Sequence, residues 1–107
     1  MAFIGKNGCF AWAKFTGSGD VANTVIGYNI SSAVDNGEGD YTINFSTNCD
    51  GSESYSQATG SDNGVGQIRI NCRHTQTASS YRFKTRTSSD GVNDPSNGMI
   101  SFFGNQV

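Results

Sequence analysis

The segment Y-N-I-S-S-A-V-D-N-G-E-G-D-Y-T-I-N-F, residues 28 to 45, places an acidic, glycine-rich loop between two stretches of alternating apolar and polar residues. Alternation with a period of two is typical of half-buried β-strands. Asp and Asn bond to their own backbone in turns, and Gly37 and Gly39 tolerate the positive φ that tight hairpins require. Its three carboxylates offer oxygen ligands to calcium, but their spacing does not match a twelve-residue calcium loop. The segment therefore predicts a β-hairpin.

The rest of the chain repeats this pattern of strands and turns. Asn-Gly or Asp-Gly pairs begin at residues 7, 36, 50, 63, 90 and 97, and each predicts a connection between strands. No segment shows the 3.6-residue period of a convincing helix. In the second predicted strand, Ile26, Tyr28, Ile30 and Val34 share one face and Ala33 lies on the other. We expect strands near residues 9 to 15, 22 to 34, 41 to 47, 52 to 59, 65 to 73, 79 to 87 and 98 to 104.

These strands predict an all-β protein. Each strand has at most one apolar face, so two antiparallel sheets must pack those faces together. The 107 residues include 14 glycines and one proline, and only 15% are charged, which suits a fold dominated by turns. We expect an antiparallel β-sandwich or jelly-roll-like domain of about seven or eight strands. It forms one domain over residues 1–107, with the strand module at about 9–104.

The two terminal strands are apolar on both sides. In C-F-A-W-A-K-F, residues 9 to 15, Phe10 and Trp12 alternate with small apolar residues, and M-I-S-F-F at 99 to 103 is similar. A sandwich has only one inside per sheet, so either loops cover the second faces or these residues lie in a subunit interface. We favour a homo-oligomer. The candidate interface residues are Phe10, Trp12, Phe102 and Phe103.

Charges are separated along the chain. Residues 35 to 62 carry acidic side chains and no Lys or Arg, whereas residues 69 to 86 carry basic side chains and no acid. If strands 65 to 73 and 79 to 87 pair through a turn at 74 to 79, their cations share one solvent face. That face is either an ordinary solvated surface, a contact for an anionic glycan or phosphate, or a seat for the acidic half of a neighbouring copy. The candidate binding residues are Arg69, Arg73, Arg82, Lys84 and Arg86.

Nucleic acid and membrane are not expected as partners. The net charge is −2 and no segment resembles a groove-reading element, which argues against duplex nucleic acid. No apolar run approaches the ~18 residues of a membrane span, and the start lacks the layout of a secretory signal. The sequence therefore predicts a soluble chain made in a cytoplasm.

Signals for catalysis or a cofactor are weak. His74 is the only histidine and lies two residues from Cys72, but no carboxylate or oxyanion device accompanies the pair. Zinc would need Cys9 or Cys49 as well, at a spacing that matches no common site. The three cysteines are read as buried thiols rather than a disulfide framework. We expect no enzyme activity, no metal and no cofactor.

Two motifs carry a resemblance to a known group of proteins. A-W-A-K-F-T-G at 11 to 17, followed by the quoted segment at 28 to 45, resembles a module at the C-terminus of tail-fibre and other virion-surface proteins of bacteriophages, often marine or cyanobacterial ones. Y-R-F-K-T-R-T at 81 to 87 is similar to the basic strand of that module. The resemblance covers about residues 11 to 103. The segment N-C-D-G-S-E-S-Y-S-Q at 48 to 57 departs from it, being less apolar.

The resemblance implies a virion protein assembled in the host cytoplasm. The first candidate is a small oligomeric tail-fibre or fibre-tip protein, which by analogy is a trimer. Its loops at 35 to 40, 60 to 64 and 88 to 97 would touch a host-surface glycan or protein. The alternative candidate is a capsid decoration or cement protein that stabilises the phage head. In fibres the module follows a long shaft, whereas here it begins near residue 11. We therefore expect docking on other virion proteins, or attachment through a region outside this chain.

Overall fold

The structure is a computed structural model that describes residues 8–17, 21–62, 69–87, 94 and 97–104. Within these residues the chain is all-β, with eight strands and a single helical turn, α1. In chain order the elements are β1 Cys9–Phe15, α1 Val21–Thr24, β2 Ile26–Tyr28, β3 Ile30–Gly37, β4 Asp40–Phe45, β5 Tyr55–Asp62, β6 Arg69–Gln76, β7 Ser80–Thr87 and β8 Asn97–Gly104. No helix in the described part is long and apolar enough to cross a membrane.

The strands form two four-stranded antiparallel sheets, which confirms the predicted sandwich. Sheet A has the order β2-β1-β8-β5, and sheet B has the order β3-β4-β7-β6. The first and last strands, β1 and β8, pair at the centre of sheet A. Along one side β5 and β6 lie next to each other and close the sandwich, whereas on the other side the chain passes from β2 in sheet A to β3 in sheet B.

Aromatic side chains from both sheets fill the core. Phe10 and Phe102 of sheet A meet Phe45 of sheet B edge-on, with ring centroids 5.1 and 5.0 Å away, and are themselves 6.2 Å apart. Nearer the other end, Phe15 of sheet A packs on Tyr41 and Phe83 of sheet B. Each buried aromatic ring removes about 150–250 Å² from water. Tyr41, Phe45 and Phe83 come from segments whose alternation predicted that they face inward, whereas Phe10 and Phe102 were predicted to lie in a subunit interface.

The predicted strand at 22 to 34 is wrong as one element. The chain forms α1, then β2, and then turns at Asn29, whose φ of 60° lies in the left-handed region. The Asn29 side chain fixes this turn, because Nδ2 donates to Thr47 O at 3.0 Å and Oδ1 accepts from Thr47 N at 2.7 Å. Asn tolerates this conformation better than other non-glycine residues. A bulge between Ile30 and Ser32 then reverses the expected faces, so that Ala33 is buried and Val34 is exposed.

Two turn predictions also differ from the structure. Asn97-Gly98 lies inside β8 rather than in a connection, and a Cβ at Gly98 would approach the Phe15 ring within 2.4 Å. Gly98 is therefore needed because the Phe15 ring occupies the space of a side chain, and not because the backbone turns there. His74 lies within β6, and the connection to β7 is at residues 77–79. The Asn36-Gly37 pair does end β3 at the predicted hairpin, with positive φ at Gly37 and Gly39.

Candidate binding surfaces

The basic residues of β6 and β7 do not share one face. The two strands pair as predicted, but Arg73 lies opposite Phe83 and Arg69 lies opposite Thr87. Residues directly opposite in a sheet lie on the same side, and Phe83 points into the core, so Arg73 belongs to the opposite side from Arg82 and Lys84. The side chain of Arg69 lies outside the described part. The predicted five-residue basic face is therefore wrong, and β7 alone supplies its described members, Arg82, Lys84 and Arg86.

The acidic half of the chain meets the basic half within one molecule. Arg82 donates from Nε and Nη2 to the two carboxylate oxygens of Asp40, at 3.0 and 2.8 Å. This bonding holds the pKa of Asp40 below its usual value and raises the pKa of Arg82. Arg73 reaches Glu53 at 3.2 Å on a more exposed part of the surface. Two of the candidate anion-binding residues are thus already paired.

The outer side of sheet B is a hydrogen-bonded polar surface, which we call the polar face. Asn36 Nδ2 donates to Thr42 Oγ1 at 2.6 Å and to Asp40 Oδ1 at 3.4 Å. Asn44 Nδ2 donates to Ser32 Oγ at 3.0 Å. The side chains of this face are mostly polar or charged, and those of neighbouring strands bond to one another. The face is therefore suited to contact with water. Its described members are Ser32, Val34, Asn36, Asp40, Thr42, Asn44, Arg82, Lys84 and Arg86.

The outer side of sheet A is different, and we call it the apolar face. Trp12 lies between Tyr28 and Ser101 in one row across the strands, and Lys14 lies between Ile26 and Met99 in the next row. The exposed fractions are 42% for Trp12, 54% for Tyr28, 61% for Ile26 and 45% for Met99. A groove of about 200 Å³ separates the Trp12 and Lys14 rows over β1 and β8. Large exposed apolar patches mark interaction surfaces.

Only part of the predicted interface lies on the apolar face. Trp12 is there and exposed, and Phe103 is there and half-buried. Phe10 and Phe102 are 4% and 0% exposed in the core, so their assignment to an interface is wrong. A bulge between Cys9 and Ala11 turns Phe10 inward, and the pleat of β8 turns Phe102 inward.

Sequence reasoning missed three members of the apolar face. Ile26 and Tyr28 were expected in the core because the break at Asn29 was not recognised, and Met99 was not singled out. The signal was present in T-V-I-G-Y-N-I at 24 to 30, where Asn follows directly on a short apolar run. Gly27 also matters here, because a Cβ on it would collide with Trp12 O, so only glycine allows β2 to lie this close to β1.

Connections gather at one end of the sandwich, which we call the loop end. β1, β5 and β7 finish there, β8 starts there, and the β3–β4 hairpin turns there. The described parts of the three loops predicted to touch a host, at 35 to 40, 60 to 62, 94 and 97, therefore lie at this end, and residues 63, 64, 88 to 93, 95 and 96 lie outside the described residues. At the opposite end Gly104 N donates to Gly8 O at 3.0 Å. The described loop residues thus lie at the end of the sandwich opposite to Gly8 and Gly104.

Asp94 stabilises the loop end through hydrogen bonds. Its Oδ1 accepts from Gly39 N and lies 2.7 Å from the hydroxyl of buried Tyr41, which is also 3.0 Å from Gly17 O. Burial, followed by the Asp94 carboxylate, raises the pKa of Tyr41. Thr85 N donates to Gly39 O at 2.8 Å. Three separate connections are held to one another by these bonds.

The weak candidate sites, His74 and the cysteines, lie only partly within the described residues. His74 is exposed, with Nδ1 2.7 Å from Thr75 Oγ1, and the side chain of Cys72 lies outside the described residues. Cys49 is a buried free thiol as predicted, but Cys9 is exposed. Among the described residues no group of three His, Cys, Asp or Glu side chains is placed to hold a metal ion.

A second groove of about 490 Å³ lies where the chain passes from β2 in sheet A to β3 in sheet B, between Val25 and Ile30.

No protein-family model, curated protein or solved structure matches this chain.

Proposed function

We propose that this chain is a structural protein of a bacteriophage virion, a small oligomeric tail-fibre or fibre-tip protein that contacts the host surface. Two things support the proposal. One is the resemblance of residues 11 to 17 and 28 to 45 to phage tail-fibre modules. The other is the loop end, which carries the argument from the structure.

The position of the loop end suits a tip. The described parts of the loops lie at one end of the sandwich, whereas β1 begins and β8 ends at the other. Loops on a rigid scaffold are the usual place for binding residues, because the scaffold fixes their position and the loops vary. Asp94 bonds to Gly39 and Tyr41, which ties it to the β3–β4 hairpin.

The described part of the loop end favours a polar partner. Asp35, Asn36 and Glu38 of the β3–β4 hairpin are exposed, and no large apolar side chain accompanies them in that hairpin tip. Carboxylates and amides recognise hydroxyl and amide groups by hydrogen bonds. The proposed partner is a host-surface glycan or protein, and self-association, for which the resemblance implies three copies, would present several loop ends side by side.

The test is competition for the host. Purified chain is added to host cells before the phage, and adsorption of the phage is counted. We expect the chain to slow adsorption and Glu38→Lys to reduce that effect. Glu53→Lys is the matched control, because Glu53 is an exposed glutamate at the opposite end of the sandwich. If the chain never slows adsorption, or if both variants act alike, contact through the loop end is wrong.

A capsid decoration protein is the second candidate, and the apolar face is the observation that favours it. A flat apolar surface on the flank of the sandwich could cover a junction between capsid subunits. In that case purified chain should bind phage heads that lack it and raise the temperature at which they release DNA. Failure to bind such heads would remove this candidate.

A further inference from the structure

We propose that another copy of this chain covers the apolar face. The inference rests on the self-association in the proposed function and adds the surface that forms it. Every described large apolar side chain that is strongly exposed lies on this face, except Val34 on the polar face. The exposed apolar residues are therefore concentrated on one side of the molecule.

Charge favours a copy of the chain as the occupant. Lys14 is the only charged residue among the described members of the apolar face, and its long stem lets the ammonium remain in water at the rim. The polar face and the loop end carry carboxylates or guanidinium groups that would lose their hydration in an apolar contact. Of the surfaces described here, the apolar face is the one that would lose the least hydration when another copy covers it.

The size of the face agrees with a subunit contact. The four strands of sheet A have three, seven, eight and eight residues. At about 4.8 Å between strands and about 3.3 Å per residue they give roughly 400 Å² in projection, and the accessible area of such a corrugated surface is larger. A standard interface buries about 800 Å² on each partner. The apolar face thus offers a large part of what a stable contact needs, with Trp12 near its centre, where the strongest contacts usually lie.

The experiment uses Trp12 as its own reporter, since it is the only tryptophan. The full chain is diluted from about 100 µM to about 10 nM, a range that spans weak to tight association, while its mass and tryptophan emission are recorded. We expect the mass to fall and the emission to move to longer wavelength at the same concentration, as the indole returns to water. A chain that is monomeric at every concentration would overturn the proposal.

Two lysine variants locate the contact. Ile26→Lys places a charge on the apolar face and should weaken association by about tenfold or more, as expected for an unpaired charge in an interface. Val34→Lys places the same charge on an exposed position of an edge strand in sheet B and should leave association unchanged. Equal effects of the two would place the contact elsewhere and overturn the proposal.

The remaining outcomes separate this inference from the proposed function. If added oligosaccharide changes the tryptophan emission while the mass stays constant, the apolar face is a glycan site. That result would refute the proposal that another copy covers this face. A monomeric chain that still slows phage adsorption would refute the interface and leave the tip function standing. An oligomer that depends on Ile26 but never slows adsorption would support the interface and refute the tip function.

Discussion

The two outer faces of the sandwich are built from the same kind of alternating strand and differ in almost every physical property. On the polar face, Asp40, Asn36 and Thr42 bond to one another and Arg82 closes the network. On the apolar face, Trp12, Tyr28 and Ile26 stand exposed with Lys14 as their one charged neighbour in the described part. The polar face is suited to contact with water. The contrast between the two faces is the basis of our proposal that another copy of the chain covers the outer side of sheet A.

The largest effect should separate the inner side of sheet A from its outer side. Phe102→Ala removes a buried ring that packs on Phe10, Phe45 and Tyr81, and should lower the free energy of unfolding by about 3–5 kcal/mol. Phe103→Ala, the adjacent residue on the apolar face, should lower it by less than about 1 kcal/mol at a dilution where the chain is monomeric. Denaturant unfolding measures both, and similar losses would contradict the assignment of the two sides.

Trp12→Ala should affect association more than folding. The ring is nearly half exposed in one chain, so its removal should lower the free energy of unfolding of the monomer by about 1 kcal/mol or less. An interfacial tryptophan commonly contributes more than about 2 kcal/mol to binding. Sedimentation should show more monomer for the variant at equal concentration. A variant that unfolds more easily and keeps its oligomeric state would mean that Trp12 contributes to folding and not to association.

The Asp40 ion pair should give the polar face a modest dependence on pH. Because the pKa of Asp40 is lowered in the folded chain, its contribution is present above the usual value near 3.8 and is lost as the pH falls through the lower, folded value. Asp40→Asn should therefore lower the free energy of unfolding by up to about 1 kcal/mol at neutral pH, since Arg82 is partly exposed. At a pH well below the folded pKa of Asp40 the two chains should be equally stable. A difference that persists there would assign the effect to packing.

The smallest effect is expected at the second ion pair. Both members of the Glu53 and Arg73 pair are more than half exposed, so water and salt screen their attraction. Glu53→Gln should change the free energy of unfolding by less than about 0.5 kcal/mol at any pH. A loss as large as that of Asp40→Asn would mean that exposure does not distinguish the two pairs.

The sequence was sufficient to predict the core of the central strands but not that of the terminal strands or the surfaces. The segments Tyr41 to Phe45 and Tyr81 to Phe83 alternate without interruption, and their buried residues follow directly from the period of two. The break at Asn29 depends on hydrogen bonds to Thr47, eighteen residues away, so the local sequence at 24 to 30 gives only part of the signal. That one turn decides whether Ile26 and Tyr28 lie inside or outside.

The basic face failed as a prediction for a related reason. Alternation within β6 and within β7 was clear, but their relative register was not, and a shift of one residue moves a whole strand to the other side. The observed register separates Arg73 from Arg82 and pairs each with a different acid. Acidic and basic residues that are far apart in the sequence are therefore paired in the fold.

The most direct test of the proposed function is the position of the chain on the particle that carries it. Gold-labelled antibody against the chain would be applied to intact phage and read by electron microscopy. Gold at the distal end of the tail is the result that the proposal predicts. Gold over the head would contradict it and assign the chain to the capsid.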